Sequence, residues 1–128
     1  MKKLMLSLSL MLAVFVVASA QSSSGPVITW EATSIDYGTI QQGADGAREF
    51  TFTNTGNAPL IISNATGSCG CTVPVWPKEP ILPGQKATIK VNYDTNRTGS
   101  FTKTVTVVSN APNGTDVLQI KGNVLPKE

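Results

Sequence analysis

Cys69 and Cys71, separated by Gly70, are the residues whose types and spacing could most readily do chemistry, and they are the only cysteines of the chain. One interpretation is a local disulfide, with Gly70 taking the backbone angles that bring the sulfurs together. Such a bridge closes only three residues, so it would stabilise the fold by no more than about 1.5 kcal/mol. A second interpretation is thiol redox exchange, since a strained small-ring disulfide is easily reduced. A third is binding of a soft ion such as Cu(I) by two thiolates.

The sequence around the pair leaves these interpretations open. Redox cysteines usually lie at a helix N-terminus or beside a cation, whereas Ser68 and Thr72 flank this pair. A closed zinc site takes four ligands, but the chain has no histidine, and its methionines lie only at positions 1, 5 and 11. We therefore assign no metal and expect no cofactor. The candidate site comprises Cys69 and Cys71, with Gly70 and Thr72 as the loop that supports them.

A proline-rich segment follows the cysteines. Its prolines are Pro74, Pro77, Pro80 and Pro83. They recur every third residue, which is the period of a polyproline II helix, so they would lie along one face of a stiff, extended segment. With Trp76, that face could dock into an aromatic groove of a partner. The alternative, which we prefer, is a rigid crossover between two sheets with Trp76 packed inward, because prolines commonly stiffen loops and sheet edges.

The chain offers little for catalysis. Without histidine, the commonest general base and the usual Ser–His and Cys–His pairs are absent. The eight carboxylates are scattered, and there is neither a glycine-rich phosphate loop nor a paired metal-ligand motif. We expect that the protein is not an enzyme.

The N-terminus has the three parts of a secretory signal peptide. Lys2 and Lys3 are basic, residues 4–17 are almost entirely apolar, and residues 18–20 are the small residues of a cleavage site. The apolar run is short for a membrane-spanning helix. We therefore expect residues 1–20 to be a signal peptide, residues 21–26 a flexible lead-in and residues 27–128 one domain. The mature protein would be periplasmic or extracellular, with no transmembrane segment after cleavage.

The charge of the expected mature chain is close to zero. The whole chain has ten basic and eight acidic residues, and two of the basic residues, Lys2 and Lys3, leave with the signal peptide. No basic surface then remains for nucleic acid, so nucleic acid is not an expected partner.

Residues 27–124 alternate between apolar and polar with a period of two, which is typical of β-strands. The clearest case is Lys86–Tyr93. About seven such segments, separated by turns rich in Gly, Pro and Asn, predict an all-β fold, a single immunoglobulin-like antiparallel β-sandwich. The predicted segments are Val27–Thr33, 35–40, Arg48–Asn54, Leu60–Ile62, Lys86–Tyr93, Phe101–Ser109 and Val117–Val124.

Several short motifs resemble those of one family. They are Asp36-Tyr37-Gly38-Thr39-Ile40, Phe50-Thr51-Phe52-Thr53-Asn54-Thr55-Gly56, Cys69-Gly70-Cys71-Thr72, Ile81-Leu82-Pro83-Gly84 and Val91-Asn92-Tyr93-Asp94-Thr95. In this order they resemble the exported bacterial domain-of-unknown-function family fifteen seventy-three, abundant in Bacteroidetes. The resemblance implies an immunoglobulin-like domain related in shape to major sperm protein and pilus chaperones. It makes the Cys-Gly-Cys positions a family hallmark and supplies no catalytic residues.

The expected function is binding. We expect an exported, non-catalytic module that contacts another protein or a cell-envelope component through sheet edges or loops. The alternative is a thiol redox or Cu(I)-binding protein acting through Cys69 and Cys71. Only the alternative requires the cysteine pair to be reachable from solvent and chemically responsive.

Overall fold

The structure is a computed structural model that describes residues 25–128. The predicted signal peptide and most of the predicted lead-in lie outside the described residues. Within the described part of the chain, no helix is long and apolar enough to cross a membrane.

Residues 25–128 form eight strands in two four-stranded sheets. The strands are β1 (Ile28–Trp30), β2 (Ser34–Gln41), β3 (Ala47–Asn54), β4 (Ile62–Gly67), β5 (Thr72–Val75), β6 (Lys86–Tyr93), β7 (Gly99–Ser109) and β8 (Thr115–Leu125). The first sheet has the order β1-β3-β6-β5 and the second the order β2-β8-β7-β4. The predicted all-β sandwich is confirmed, with eight strands where about seven were expected.

The core lies between the two sheets and is built by the alternation seen in the sequence. In β3, for example, Phe50 and Phe52 are buried while Glu49 is exposed. Each large apolar side chain removed from water in this way stabilises the fold by about 1.5–3 kcal/mol. The other fully buried apolar residues are Leu60, Ile89, Val91, Val105, Val107, Leu118, Ile120 and Val124.

One strand pairing departs from the antiparallel pattern that the sequence predicted. β2 runs parallel to β8, with Ser34 opposite Gln119 and Gln41 opposite Leu125. The register of β2 shifts at a bulge, where Gly38 has a φ of 66°. A residue with a side chain rarely adopts that angle, so glycine fits the bulge.

The region between β3 and β6 differs most from the sequence-based prediction. Leu60 makes only an isolated bridge to Ile81, and β4 begins at Ile62. The predicted crossover at the prolines is wrong, because β5 and β6 are neighbours in the same sheet, with Val75 opposite Lys90. The step from the second sheet to the first is made earlier, between β4 and β5.

Candidate functional site

The Cys-Gly-Cys motif lies in the turn that joins β4 to β5. These are edge strands of different sheets, so the turn crosses from one sheet to the other. The backbones approach closely where the turn begins, because a Cβ atom on Gly67 would overlap the carbonyl oxygen of Thr72. We call residues 67–72 the disulfide turn.

Cys69 and Cys71 are joined by a disulfide, and their Cα atoms are 5.2 Å apart. That Cα separation is ordinary for a disulfide. The backbone N–H of Cys71 donates to Cys69 Sγ over 3.3 Å, and that of Thr72 donates to the Cys69 carbonyl over 3.2 Å. Gly70 is exposed and does not have a positive φ, so the unusual backbone angles expected of it are not used.

Three further hydrogen bonds fasten the disulfide turn to both sheets. Ser68 N–H donates to the Thr104 carbonyl over 2.8 Å, and Thr104 N–H donates back to Ser68 Oγ over 3.1 Å, which ties the turn to β7. Asp94 N–H donates to the Cys71 carbonyl over 2.8 Å, which ties it to the end of β6. Sequence reasoning did not identify Ser68 or Thr104, because neither is unusual until the fold brings them together.

The two sulfurs have unequal surroundings. Cys71 is 3% exposed and belongs to the core, whereas Cys69 is only partly buried. The Thr72 hydroxyl is buried beside the bridge, with its oxygen 3.7 Å from each sulfur. Cys69 is therefore the more exposed of the two cysteines.

The free edge of β5 is poor in hydrogen-bond donors. The Cys71 carbonyl accepts from the N–H of Asp94, at the end of β6. Since the backbone groups of successive residues in a strand point to opposite sides, those of Thr72 and Pro74 point away from β6, toward the free edge. The Thr72 N–H already donates to the Cys69 carbonyl, and Pro74 has no N–H. Within residues 72–75, the edge therefore offers no free N–H to an added strand.

The outer face of β5 is apolar and continues into a groove. Val73 and Val75 are 53% and 58% exposed. The open groove next to them has a volume of about 440 Å³. It is lined by Val75, Trp76, Pro77, Ala87, Thr88 and Lys90. We call Val73, Val75, Trp76, Pro77 and Lys90 the β5 face.

The four prolines do not share one face. Pro74 lies in β5 and Pro77 lines the groove, and both are partly buried. Pro80 and Pro83 are exposed in the loop that leads to β6. Beside the groove, the Lys78 ammonium lies 3.1 Å from the centre of the Trp76 ring, a cation–π contact.

A second open depression lies on the other sheet, at the bulge of β2. It has a volume of about 400 Å³, and Asp36, Thr39, Lys121 and Asn123 are among its lining residues. Within residues 25–128, including both depressions, no group of three or more His, Cys, Asp or Glu side chains could hold a metal ion.

Comparison with known proteins supplies a family and a fold. The family model described as "protein of unknown function (DUF1573)" matches residues 28–124. No curated protein matches the chain.

Three solved structures illustrate the fold. A protein of unknown function from Porphyromonas gingivalis W83 has a TM-score of 0.69 at 17% identity, over 80% of this chain and 48% of its own, so this chain spans about half its length. The ASH/PapD-like domain 7 of human CEP192 has a TM-score of 0.65 at 10% identity, over 79% of this chain and 87% of its own. The Pseudomonas aeruginosa CupB2 chaperone has a TM-score of 0.55 at 10% identity, over 75% and 55%. All three share a PapD-like, immunoglobulin-like sandwich with this chain.

Proposed function

Since this chain belongs to the family described as a protein of unknown function (DUF1573), we propose that its domain acts in binding rather than in catalysis. In this proposal the protein is exported by its N-terminal signal sequence. Its domain then contacts another protein or a cell-envelope component through the β5 face.

The observation that carries the proposal is the exposure of Val73 and Val75 beside the groove. Single exposed apolar residues are ordinary on protein surfaces. Two valines that share one face of an edge strand and continue into a groove containing a tryptophan form a contiguous patch, which is typical of interaction sites. Trp76 would be the aromatic anchor of that patch.

The chemistry of the β5 face indicates how a partner would bind. A β-strand added to the edge of β5 would find no N–H donors there, so the contact would be made by side chains. Lys90 lines the groove, and Lys78 lies over Trp76. The Lys90 ammonium already lies 4.0 Å from Glu49 Oε1, in an ion pair at the surface. An apolar segment that carries a carboxylate or another anionic group would fit this face, because the Lys78 ammonium would attract it.

The proposal is tested by placing a photo-crosslinking amino acid at position 75 in the producing bacterium. The matched control position is 117, because Val117 is 56% exposed but lies on β8 in the other sheet. We expect a discrete crosslinked partner from position 75 and none from position 117. Adding Val73→Asp should abolish the crosslink while the circular dichroism spectrum stays unchanged. The same products from both positions, or no product from position 75, would overturn the proposal.

The second candidate is a thiol-based role of Cys69 and Cys71. One observation favours it: Cys69 is only partly buried although its bridge partner lies in the core. Copper binding through this pair would require the bridge to open first, because the thiolate is the metal ligand.

The intact mass of the exported protein, alkylated before and after reduction, distinguishes a disulfide from free thiols. Metals are assayed on the same sample to detect bound copper. Alkylation only after reduction means a disulfide. Free thiols or bound copper would make the cysteine pair the functional site. The same mass tests the predicted cleavage after Ala20.

A further inference from the structure

We propose that the Cys69–Cys71 disulfide is a thiol-exchange site of fixed polarity, in which a dithiol attacks Cys69 Sγ and Cys71 is the leaving sulfur. The inference rests on the thiol-based role of the pair and names its substrate class. It does not depend on the β5 face.

The polarity follows from access to the two sulfurs. Exchange requires a thiolate to reach one sulfur of the bridge directly. Cys71 is 3% exposed and packs in the core, so a nucleophile reaches its sulfur only if the core opens. Cys69 is partly buried, and the neighbouring Gly70 is exposed, with no atom beyond Cys69 and Cys71 within 4 Å of the position a Cβ atom would take. The approach from solvent therefore leads to Cys69.

One contact favours the opposite polarity. The Cys71 N–H donates to Cys69 Sγ over 3.3 Å, and this bond would stabilise Cys69 as the leaving thiolate. A single hydrogen bond to a charged sulfur changes a rate by about ten- to a hundredfold. Burial of Cys71 in the core also disfavours its thiolate as the leaving group. We infer that access outweighs both effects, because a sulfur that the nucleophile does not reach does not react.

The exchange balances in two steps. A thiolate of the dithiol forms a bond to Cys69 Sγ as the Cys69–Cys71 bond breaks, and the electron pair leaves on Cys71 Sγ, which takes the proton that the second thiol of the dithiol gives up. The Thr72 hydroxyl, 3.7 Å from Cys71 Sγ, can donate to that sulfur while it is charged. The second sulfur of the dithiol, now a thiolate, attacks the first sulfur of the dithiol, which is bonded to Cys69. Cys69 is released as a thiolate and takes a proton from water. The dithiol loses two electrons, and the Cys69–Cys71 pair gains them.

The disulfide turn keeps its position when the bridge opens. The reciprocal bonds of Ser68 and Thr104, and the bond from Asp94 N–H to the Cys71 carbonyl, do not involve either sulfur. The two thiols would stay near each other, so the bridge can close again when an oxidant is present.

The test treats the native wild-type protein with reduced glutathione, quenches with acid and then alkylates with N-ethylmaleimide. Fragment ions that break the chain at Gly70 show which cysteine carries glutathione. We expect glutathione on Cys69, with the alkyl group on Cys71, in an excess of about tenfold or more, because access sets the ratio. The control is the same protein in denaturant, where the burial of Cys71 is lost and the excess should disappear.

The other outcomes are separable. Glutathione on Cys71 in equal or greater amount would overturn the polarity and leave the thiol-based role standing. A native bridge that neither glutathione nor dithiothreitol opens would overturn both. Full reduction by dithiothreitol with retention of the native circular dichroism spectrum would support the exchange site.

Discussion

Two glycines lie in the disulfide turn, and they differ in whether the structure leaves room for a side chain. A Cβ atom at Gly67 would overlap the Thr72 carbonyl, which is backbone and cannot easily move, whereas a Cβ atom at Gly70 would meet no atom within 4 Å beyond its two chain neighbours. We expect Gly67→Ala to destabilise the domain by about 2–4 kcal/mol and Gly70→Ala to change its stability by less than about 1 kcal/mol. Urea unfolding of the two variants checks this, and a larger loss for Gly70→Ala would contradict the geometry.

The disulfide should contribute little to stability. It closes a loop with a sequence separation of two, so reduction should lower the free energy of unfolding by no more than about 1.5 kcal/mol. Urea unfolding of the wild type with and without dithiothreitol measures this difference, and the double variant Cys69→Ala/Cys71→Ala shows what the side chains add. Unfolding of the domain on reduction alone would show that the bridge is a structural staple.

At the scale of single residues, the sequence identified the two cysteines but not the residues that hold the disulfide turn in place. Two cysteines separated by one residue stand out in any sequence. Ser68 and Thr104 lie 36 positions apart, and their contact depends on β4 and β7 being neighbours. Position 67 likewise requires glycine because the backbone of Thr72, in β5, lies against it, and no local sequence pattern predicts that contact.

Among the elements, β5 combines an apolar face with an edge that lacks donors. Pro74→Ala would restore an N–H on the edge beside Val73 and Val75, and unpaired edges of this kind associate. We expect this variant to form concentration-dependent oligomers that the wild type does not form. Size-exclusion chromatography with light scattering measures them. Pro83→Ala, in an exposed loop outside the strands, is the control. If both variants behave like the wild type, Pro74 does not protect this edge.

The strands differ in how well the sequence predicted them. β6 was predicted at its observed bounds, because apolar and polar residues alternate over its whole length. β4 was missed beyond Ile62, since Ala65 is its only other buried residue and its register shifts between Ile62 and Asn64. β5 was missed because it is four residues long and contains a proline, which normally argues against a strand.

At the scale of the whole molecule, an aromatic cluster joins the two sheets. Tyr93 of the first sheet stacks on Phe101 of the second with ring centres 3.8 Å apart, and Tyr37 meets Phe101 edge-on at 5.3 Å. The Tyr37 hydroxyl donates to the Gly46 carbonyl over 2.8 Å, and the Arg48 guanidinium lies 4.2 Å from the centre of the Tyr37 ring. The sequence placed all three aromatic residues in predicted strands. The parallel pairing that puts Tyr37 beside β8 depends on residues far apart in the chain, so local patterns do not predict it.

This cluster predicts a loss of stability at alkaline pH. Burial raises the pKa of Tyr37 above its ordinary value of 10.0; the charge of Arg48 opposes this shift and that of Asp45 adds to it. Burial likewise raises the pKa of Tyr93. Above pH 10 the folded state therefore holds protons that the unfolded chain has lost, so the free energy of unfolding falls as pH rises. The contribution is complete below pH 10 and disappears as pH passes through the raised pKa values.

The Tyr37→Phe variant separates the contribution of Tyr37 from all other effects of pH, which are common to both proteins. The variant loses the bond to Gly46 and should be less stable near neutral pH by about 1 kcal/mol. Its stability should nevertheless fall less steeply above pH 10, because only Tyr93 still ionises there. Since the chain has only two tyrosines, ultraviolet difference absorbance gives their titration directly, beside urea unfolding at each pH. Equal slopes for wild type and variant, or a normal titration of both tyrosines in the folded protein, would mean that the phenols reach water and that the cluster does not close the space between the sheets.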